Sequence, residues 1–348
     1  MTDAAGADPF FTASRVVIVA GKGGVGKTTV TSALALAAAR QGLRALIVEL
    51  EGKSGLASTF GREPLDYDEV VLADADETGG GEVRARTLTP DDALIEYLDD
   101  AGLGRLSKRL VSSGVVDMVS TAVPGLRDIV VLGKVKQIEQ RMAAEARRRA
   151  DQTGTGDADA DADAPDLIVI DAPAAGHAIT FLRSARGLID AVRVGPIRSQ
   201  ATDVQRMLSD AERTQVVLVT LPEETPVNEL VETAFSLEDE VGVSLGPVVV
   251  NALYPDVEGL DADPAEAAAA AGTSLRKGEA AELAAAADFR RHRIALQEEQ
   301  LARLAEGLPL HQIRLPFLFE SELDPEGLAV LADAFLAGLA EAPVEPTS

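Results

Sequence analysis
After a short polar leader, the first patterned segment is Arg15–Ala20 (RVVIVA), a β-branched run without polar alternation that predicts a strand buried on both faces. It meets the glycine-rich stretch Gly21–Thr29, and Val30–Gln41 continues as an Ala/Leu-rich helix stopped by Gly42. Further apolar runs predict strands at Arg44–Leu50, Asp166–Ile170, Gln215–Leu221, Gly246–Val250 and His311–Leu315, with helical patterns such as Val227–Val241 between them. Alternation of this kind predicts an α/β fold: a mostly parallel sheet flanked by helices on both faces.

Two stretches break the rhythm. From Pro90 to Ala150 only helical periodicity appears (Leu103, Leu106 and Leu110, then Val115, Met118, Val119 and Ala122), which predicts a helical subdomain inserted over residues 90–150. A second helical region covers 263–304. The segment Gln152–Ala164 (QTGTGDADADADA) has no core residues and predicts a disordered acidic loop over 152–164. The whole chain, 1–348, reads as one domain carrying these additions.

Composition narrows the classes. Aromatics are only 3% of the chain, so the core has to be built from Val, Leu, Ile and Ala. A formal net charge of −25 disfavours nucleic acid or anionic lipid as the main partner. The absence of cysteine excludes disulfides, thiolate zinc sites and cluster-dependent reductases. No apolar run approaches the ~20 residues of a membrane span, and no secretory leader is visible. A soluble cytoplasmic protein without direct membrane insertion is expected.

The chemistry is concentrated in Gly21-Lys22-Gly23-Gly24-Val25-Gly26-Lys27-Thr28, which satisfies G-x-x-x-x-G-K-[ST] between a predicted strand and a predicted helix. Glycines let backbone amides turn inward around phosphate oxygens, and the helix N-terminus adds favourable partial charge. The P-loop NTPase fold follows, with ATP and Mg²⁺ as cofactors. Lys27 is expected on the β- and γ-phosphates and Thr28 on Mg²⁺, with Thr29 completing the loop.

The nonapeptide GKGGVGKTT resembles the deviant Walker A loop of the ParA/MinD/ArsA group of P-loop ATPases. That resemblance implies that Lys22 crosses a subunit boundary to the partner's nucleotide. The segment from Asp171 to His177 (DAPAAGH) resembles the D-T-A-P-T-G-H switch of the ArsA and tail-anchored-protein-targeting (GET-type) ATPases. Asp171 would then hold Mg²⁺ through water, and Gly176 and His177 would sense the γ-phosphate; the threonines of the pattern are absent here. On the same alignment Glu51 stands where the family carries the aspartate that aims the attacking water. Glutamate adds one methylene, and a displacement of roughly 1 Å can cost about 100-fold in rate. Asn251 resembles the family's adenine reader, and Pro316 and Phe317 would flank the base.

The resemblance implies a dimeric Mg·ATP-dependent ATPase, homo- or heterodimeric, that couples its nucleotide cycle to a protein client. The segment Leu103–Met142 would line an aliphatic groove for such a client, or else pack as an ordinary amphipathic helix into its own core. The departures exclude the cysteine-borne arsenite site and zinc clamp of relatives. Alternatives are a slowly hydrolysing regulatory subunit beside a related ATPase, motivated by Glu51, and a MinD/ParA-like positioning ATPase.

Overall fold
The computed structural model describes residues 7–50, 55–65, 67–100, 125–151 and 164–342. Among them, eight strands form one sheet: β1 (Val16–Gly21), β2 (Ala45–Leu50), β3 (Val70–Ala73), β4 (Val83–Leu88), β5 (Leu167–Ala174), β6 (Thr214–Thr220), β7 (Ser244–Leu253) and β8 (Gln312–Pro316). Their spatial order is β3-β4-β2-β5-β1-β6-β7-β8, and every pairing is parallel except that of the edge strand β3 with β4.

Side-chain alternation along each central strand feeds two cores. Val16, Ile18 and Ala20 of β1, Leu46 and Val48 of β2, and Ile168, Ile170 and Ala172 of β5 face one side. There they meet the helices Leu126–Asp151, Ala175–Ala191, Pro196–Leu208 and Glu224–Ser236. Val17, Val19, Ala45, Ile47, Leu167 and Val169 face the other side, against the helices Lys27–Arg40 and Pro325–Ala340. Successive residues of a strand point to opposite faces, so a sheet covered on both sides must be apolar throughout. That is why these strands read as unbroken apolar runs.

The outer strands behave differently, and the sequence pattern did not disclose them. In β4, Val83, Ala85 and Thr87 are buried while Arg84 and Arg86 are half-buried, an in–out alternation interrupted by guanidinium groups. Arg84 pairs with Glu82 at 2.8 Å, and the Arg86 guanidinium lies 4.5 Å from the Tyr67 ring centre. The edge strand β3 leaves Val70 and Val71 exposed.

Helical elements also depart in detail from expectation. The predicted Val227–Val241 helix is α-helical over Glu224–Ser236 and widens into a π turn over Leu237–Val241, which Gly242 closes at a φ of 75°. The region 263–304 is two helices, Pro264–Ala270 and Glu279–Gly307, separated where Gly272 and Gly278 take positive φ.

Of the stretch 90–150 expected as a helical insertion, the described residues form helices Pro90–Asp100 and Leu126–Asp151; residues 101–124, and the acidic stretch 152–163, lie outside the described residues. The long helix resolves the two readings of the expected groove for its own part. Ile129, Leu132, Val135, Ile138 and Met142 are all buried in the core shared with the sheet. Its apolar stripe is therefore internal packing rather than an open groove.

The same helix is pinned by charge. Glu139, 1% exposed, accepts from Arg15 Nε at 2.6 Å and from Arg213 Nη2 at 2.6 Å, at the N-terminal ends of β1 and β6. Burial alone would raise its pKa, but the two guanidinium groups outweigh burial and hold the carboxyl below the usual range. Replacing Glu139 with Ala strands both arginines, and we expect a loss of about 2–3 kcal/mol in urea unfolding at neutral pH. A change within experimental error would contradict this account of how the long helix is fixed.

Candidate nucleotide-binding site
The site lies at the C-terminal ends of the central strands, where open α/β sheets bind ligands beside a reversal in strand order. Here the chain runs from β1 to β2 on one side and later crosses from β5 to β6 on the other. The loop between β1 and the helix Lys27–Arg40 occupies this point.

Local backbone explains its glycines. Gly24 and Gly26 adopt φ of 87° and 89°, left-handed values that a side chain rarely tolerates. A Cβ on Gly21 would fall 2.4 Å from the Val219 carbonyl oxygen, and one on Gly26 would fall 2.2 Å from Asn251 Nδ2. The helix that follows has Gly26 as its N-cap and no side-chain capping bond, so the amides of its first turn are left to an outside acceptor.

Behind the loop, Thr28 Oγ1 donates to Asp171 Oδ2 at 2.7 Å, and Thr31 Oγ1 lies 3.5 Å from Oδ1. Asp171 is 5% exposed, and burial pushes its pKa up to about 6 against the pull of Thr28 and Lys27. A second carboxylate adds to that rise. Glu49, 3% exposed, is the register partner of Asp171 across β2 and β5 and accepts from Thr87 Oγ1 at 2.9 Å. Sequence reasoning passed over Glu49, although a charge inside an apolar strand run, one residue from its C-terminal end, was the available signal. A hydroxyl and two carboxylates, with the Lys27 ammonium beside them, form the oxygen-rich donor set that suits Mg²⁺.

The remaining predicted residues divide. Lys27 Nζ donates to the Lys22 carbonyl oxygen at 3.3 Å, across the loop that its own backbone forms. The Lys22 ammonium contacts Glu229 Oε1 at 2.7 Å within the same chain. Asn251, at the end of β7, packs under the loop: Nδ2 donates to the Val25 carbonyl at 3.0 Å, and Oδ1 accepts from the Ala252 amide at 2.9 Å. Ala252 has a φ of 62°, a left-handed conformation unusual for a residue with a side chain. Pro316 ends β8, and Phe317 joins Tyr254 and Phe319 in a ring cluster with centre separations of 5.3 and 4.8 Å. Gly23, Val25 and Thr29 complete the loop and first helical turn. Gly176 and His177 lie in the first turn of the helix Ala175–Ala191, exposed, and His177 is close enough to Asp128 to lower the pKa that burial raises there. Glu51 lies outside the described residues.

The fold and this loop define the class: a P-loop fold on a mostly parallel sheet. The sequence profile of the ArsA-type family, described as anion-transporting ATPase, matches residues 14–193, and the chain belongs to that family. The ATPase BagA of Mycobacterium tuberculosis is 35% identical over 245 residues, 69% of this chain and 66% of the relative. The ATPase GET3B of Arabidopsis thaliana is 25% identical over 70% of this chain and 65% of its own length. The arsenical pump-driving ATPase of Escherichia coli is 26% identical over 68% of this chain and 39% of its own length. The match thus spans just under two thirds of the length of the mycobacterial relative. No helix among the described residues is long and apolar enough to cross a membrane.

The raised pKa of Asp171 has a consequence for stability. Between its ordinary value of 3.8 and about 6 the native state holds a proton that the unfolded chain releases. The stability of the nucleotide-free protein therefore falls as pH rises through that window. Above pH 6 the penalty is complete, on the order of 2–3 kcal/mol. Asp171→Asn has no charge to bury. Its melting temperature should exceed wild type by a few degrees at pH 7.5, and the gain should shrink by pH 4.5. Equal melting at pH 7.5 would show that the buried charge carries no such cost.

Proposed function
We propose that this chain binds Mg·ATP in the loop Gly21–Thr29, hydrolyses it, and uses the cycle to close and reopen a two-subunit assembly that handles a protein client. The observation that carries the proposal is the Thr28–Asp171 hydrogen bond behind an uncapped helix N-terminus. It brings a hydroxyl and a carboxylate side by side next to a helix N-terminus whose amides no side chain caps, which is what a metal–triphosphate complex needs.

Each residue has a task in this reading. Amides of Gly23–Thr28 cradle the phosphates. Lys27, now on the Lys22 carbonyl at 3.3 Å, turns to the β- and γ-phosphates. Thr28 would hold Mg²⁺ directly and Asp171 through water, with Glu49 adding negative charge to the water shell. The metal, when bound, neutralises charge that develops on the phosphate oxygens. Glu51 aims the attacking water, its extra methylene making slow turnover a natural outcome. Gly176 and His177 report the γ-phosphate to the helix Ala175–Ala191, whose buried residues pack against the sheet and the helix Leu126–Asp151. Asn251 reads the base once its amide leaves Val25, with Pro316 and Phe317 alongside. Lys22 completes the site of the partner subunit.

The partner is either a second copy or a related ATPase; a regulatory, slowly hydrolysing subunit is the second reading, and Glu51 in place of aspartate favours it. A protein client is supported by the kinship with GET-type ATPases. Its surface must come from residues other than 129–142, whose apolar side is already buried.

The test is a pair of variants in the purified protein. Lys27→Ala should weaken Mg·ATP binding by about 100-fold or more, read by calorimetry. Glu51→Gln should keep that affinity while the turnover number falls by about 100-fold or more. Unchanged ATP affinity in Lys27→Ala would remove the basis of the proposal.

A further inference from the structure
The ammonium expected to cross to a partner subunit is already engaged at home. Lys22 Nζ lies 2.7 Å from Glu229 Oε1, on the second turn of the helix Glu224–Ser236 and 207 residues further along the chain. Val227, Leu230, Thr233 and Ala234 of that helix are buried, which sets its rotation and leaves Glu229 on the side of the loop. The neighbouring acids have arginine partners of their own: Glu223 with Arg293 at 3.6 Å and Glu224 with Arg303 at 3.4 Å. The backbone of Lys22 is held as well, since its carbonyl accepts from Lys27 Nζ at 3.3 Å.

We infer that Glu229 is a positioning residue for Lys22, a restraint in cis that competes with the partner's nucleotide for the same ammonium. This rests on the reading that Lys22 acts in trans. The two grips on Lys22 are then released by two different nucleotides. ATP bound in the same subunit draws Lys27 to the phosphates and frees the Lys22 carbonyl. ATP in the partner offers several negative charges against the single charge of Glu229 and takes the ammonium. An empty or half-loaded pair keeps at least one grip, so closure is most favoured when both sites are filled.

Magnitude decides whether this is a lock or a set-point. Lys22 and Glu229 are 41% and 42% exposed. Exposed ion pairs contribute little, equivalent to a factor of about 1.5 to 5 in an equilibrium constant. The pair therefore tunes the threshold for closure and does not forbid it.

The experiment is sedimentation equilibrium of the full chain with Mg²⁺ and the slowly hydrolysed analogue ATPγS. It compares wild type, Glu229→Gln, Lys22→Ala and the double variant. Glu229→Gln removes the pair from both subunits, so it should lower the dimer dissociation constant by about two- to 25-fold, and the gain should fade in about 0.5 M salt. In the Lys22→Ala background the same change should have no effect, which separates release of Lys22 from simple loss of one negative charge. A Glu229→Gln protein that pairs no more tightly than wild type overturns the restraint, as does equal tightening in both backgrounds. Lys22→Ala pairing as tightly as wild type, or a wild type that stays monomeric, overturns the trans reading beneath it and the restraint together.

Discussion
The hydrogen bond from Thr28 to Asp171 ties the first turn of a helix to the end of a neighbouring strand, and the rest of the site is arranged around it. It needs β1 and β5 adjacent and parallel, so that loop and carboxylate emerge at the same edge. It needs Gly24 and Gly26 at positive φ, so that the chain can double back into the helix. It also needs a dry surround, because burial is what raises the pKa of Asp171 to about 6. Both cores supply that dryness: Ile170 and Ala172 beside Asp171 pack on one face of the sheet, while Val30 and Leu34 of the helix pack on the other.

An overall charge of −25 and a polyanionic nucleotide are compatible because the attraction is local. Within the loop the positive character comes from backbone amides at a helix N-terminus and from Lys22 and Lys27. Both lysines are tethered to atoms of the same chain, the Glu229 carboxylate and the Lys22 carbonyl. In the proposed cycle nucleotide binding is an exchange of partners for two ammonium groups, with little long-range steering, since a net charge of −25 repels the ligand at a distance.

How much of this was legible beforehand depended on whether the signal was local. The central strands β1, β2 and β5 and the glycine loop were readable because a two-faced sheet demands unbroken apolar runs and a phosphate loop demands glycine at fixed spacing. The outer strands β3 and β4 were not, because Arg84 and Arg86 break the apolar pattern and their partners, Glu82 and Tyr67, are recognised only after folding. Glu49 was passed over since its significance is a register with Asp171, more than a hundred residues away. The pairing of Lys22 with Glu229 and the seat of Asn251 under Val25 are likewise products of topology. The helix Leu126–Asp151 illustrates a different limit: an amphipathic stripe states that a face is covered, not by what. Here neighbouring helices, Pro90–Asp100, Ala175–Ala191 and Pro196–Leu208, cover it within the core shared with the sheet.

The central claim is that backbone amides between β1 and the following helix hold a triphosphate whose metal sits beside Thr28 and Asp171. A crystal structure of the chain grown with Mg²⁺ and a transition-state analogue of ATP hydrolysis tests it most directly. The account predicts phosphate oxygens within hydrogen-bonding distance of the amides of residues 23–28, with the metal on the Thr28 hydroxyl and a metal-bound water on Asp171. An empty loop under saturating ligand, with Thr28 still bonded to Asp171, would contradict it.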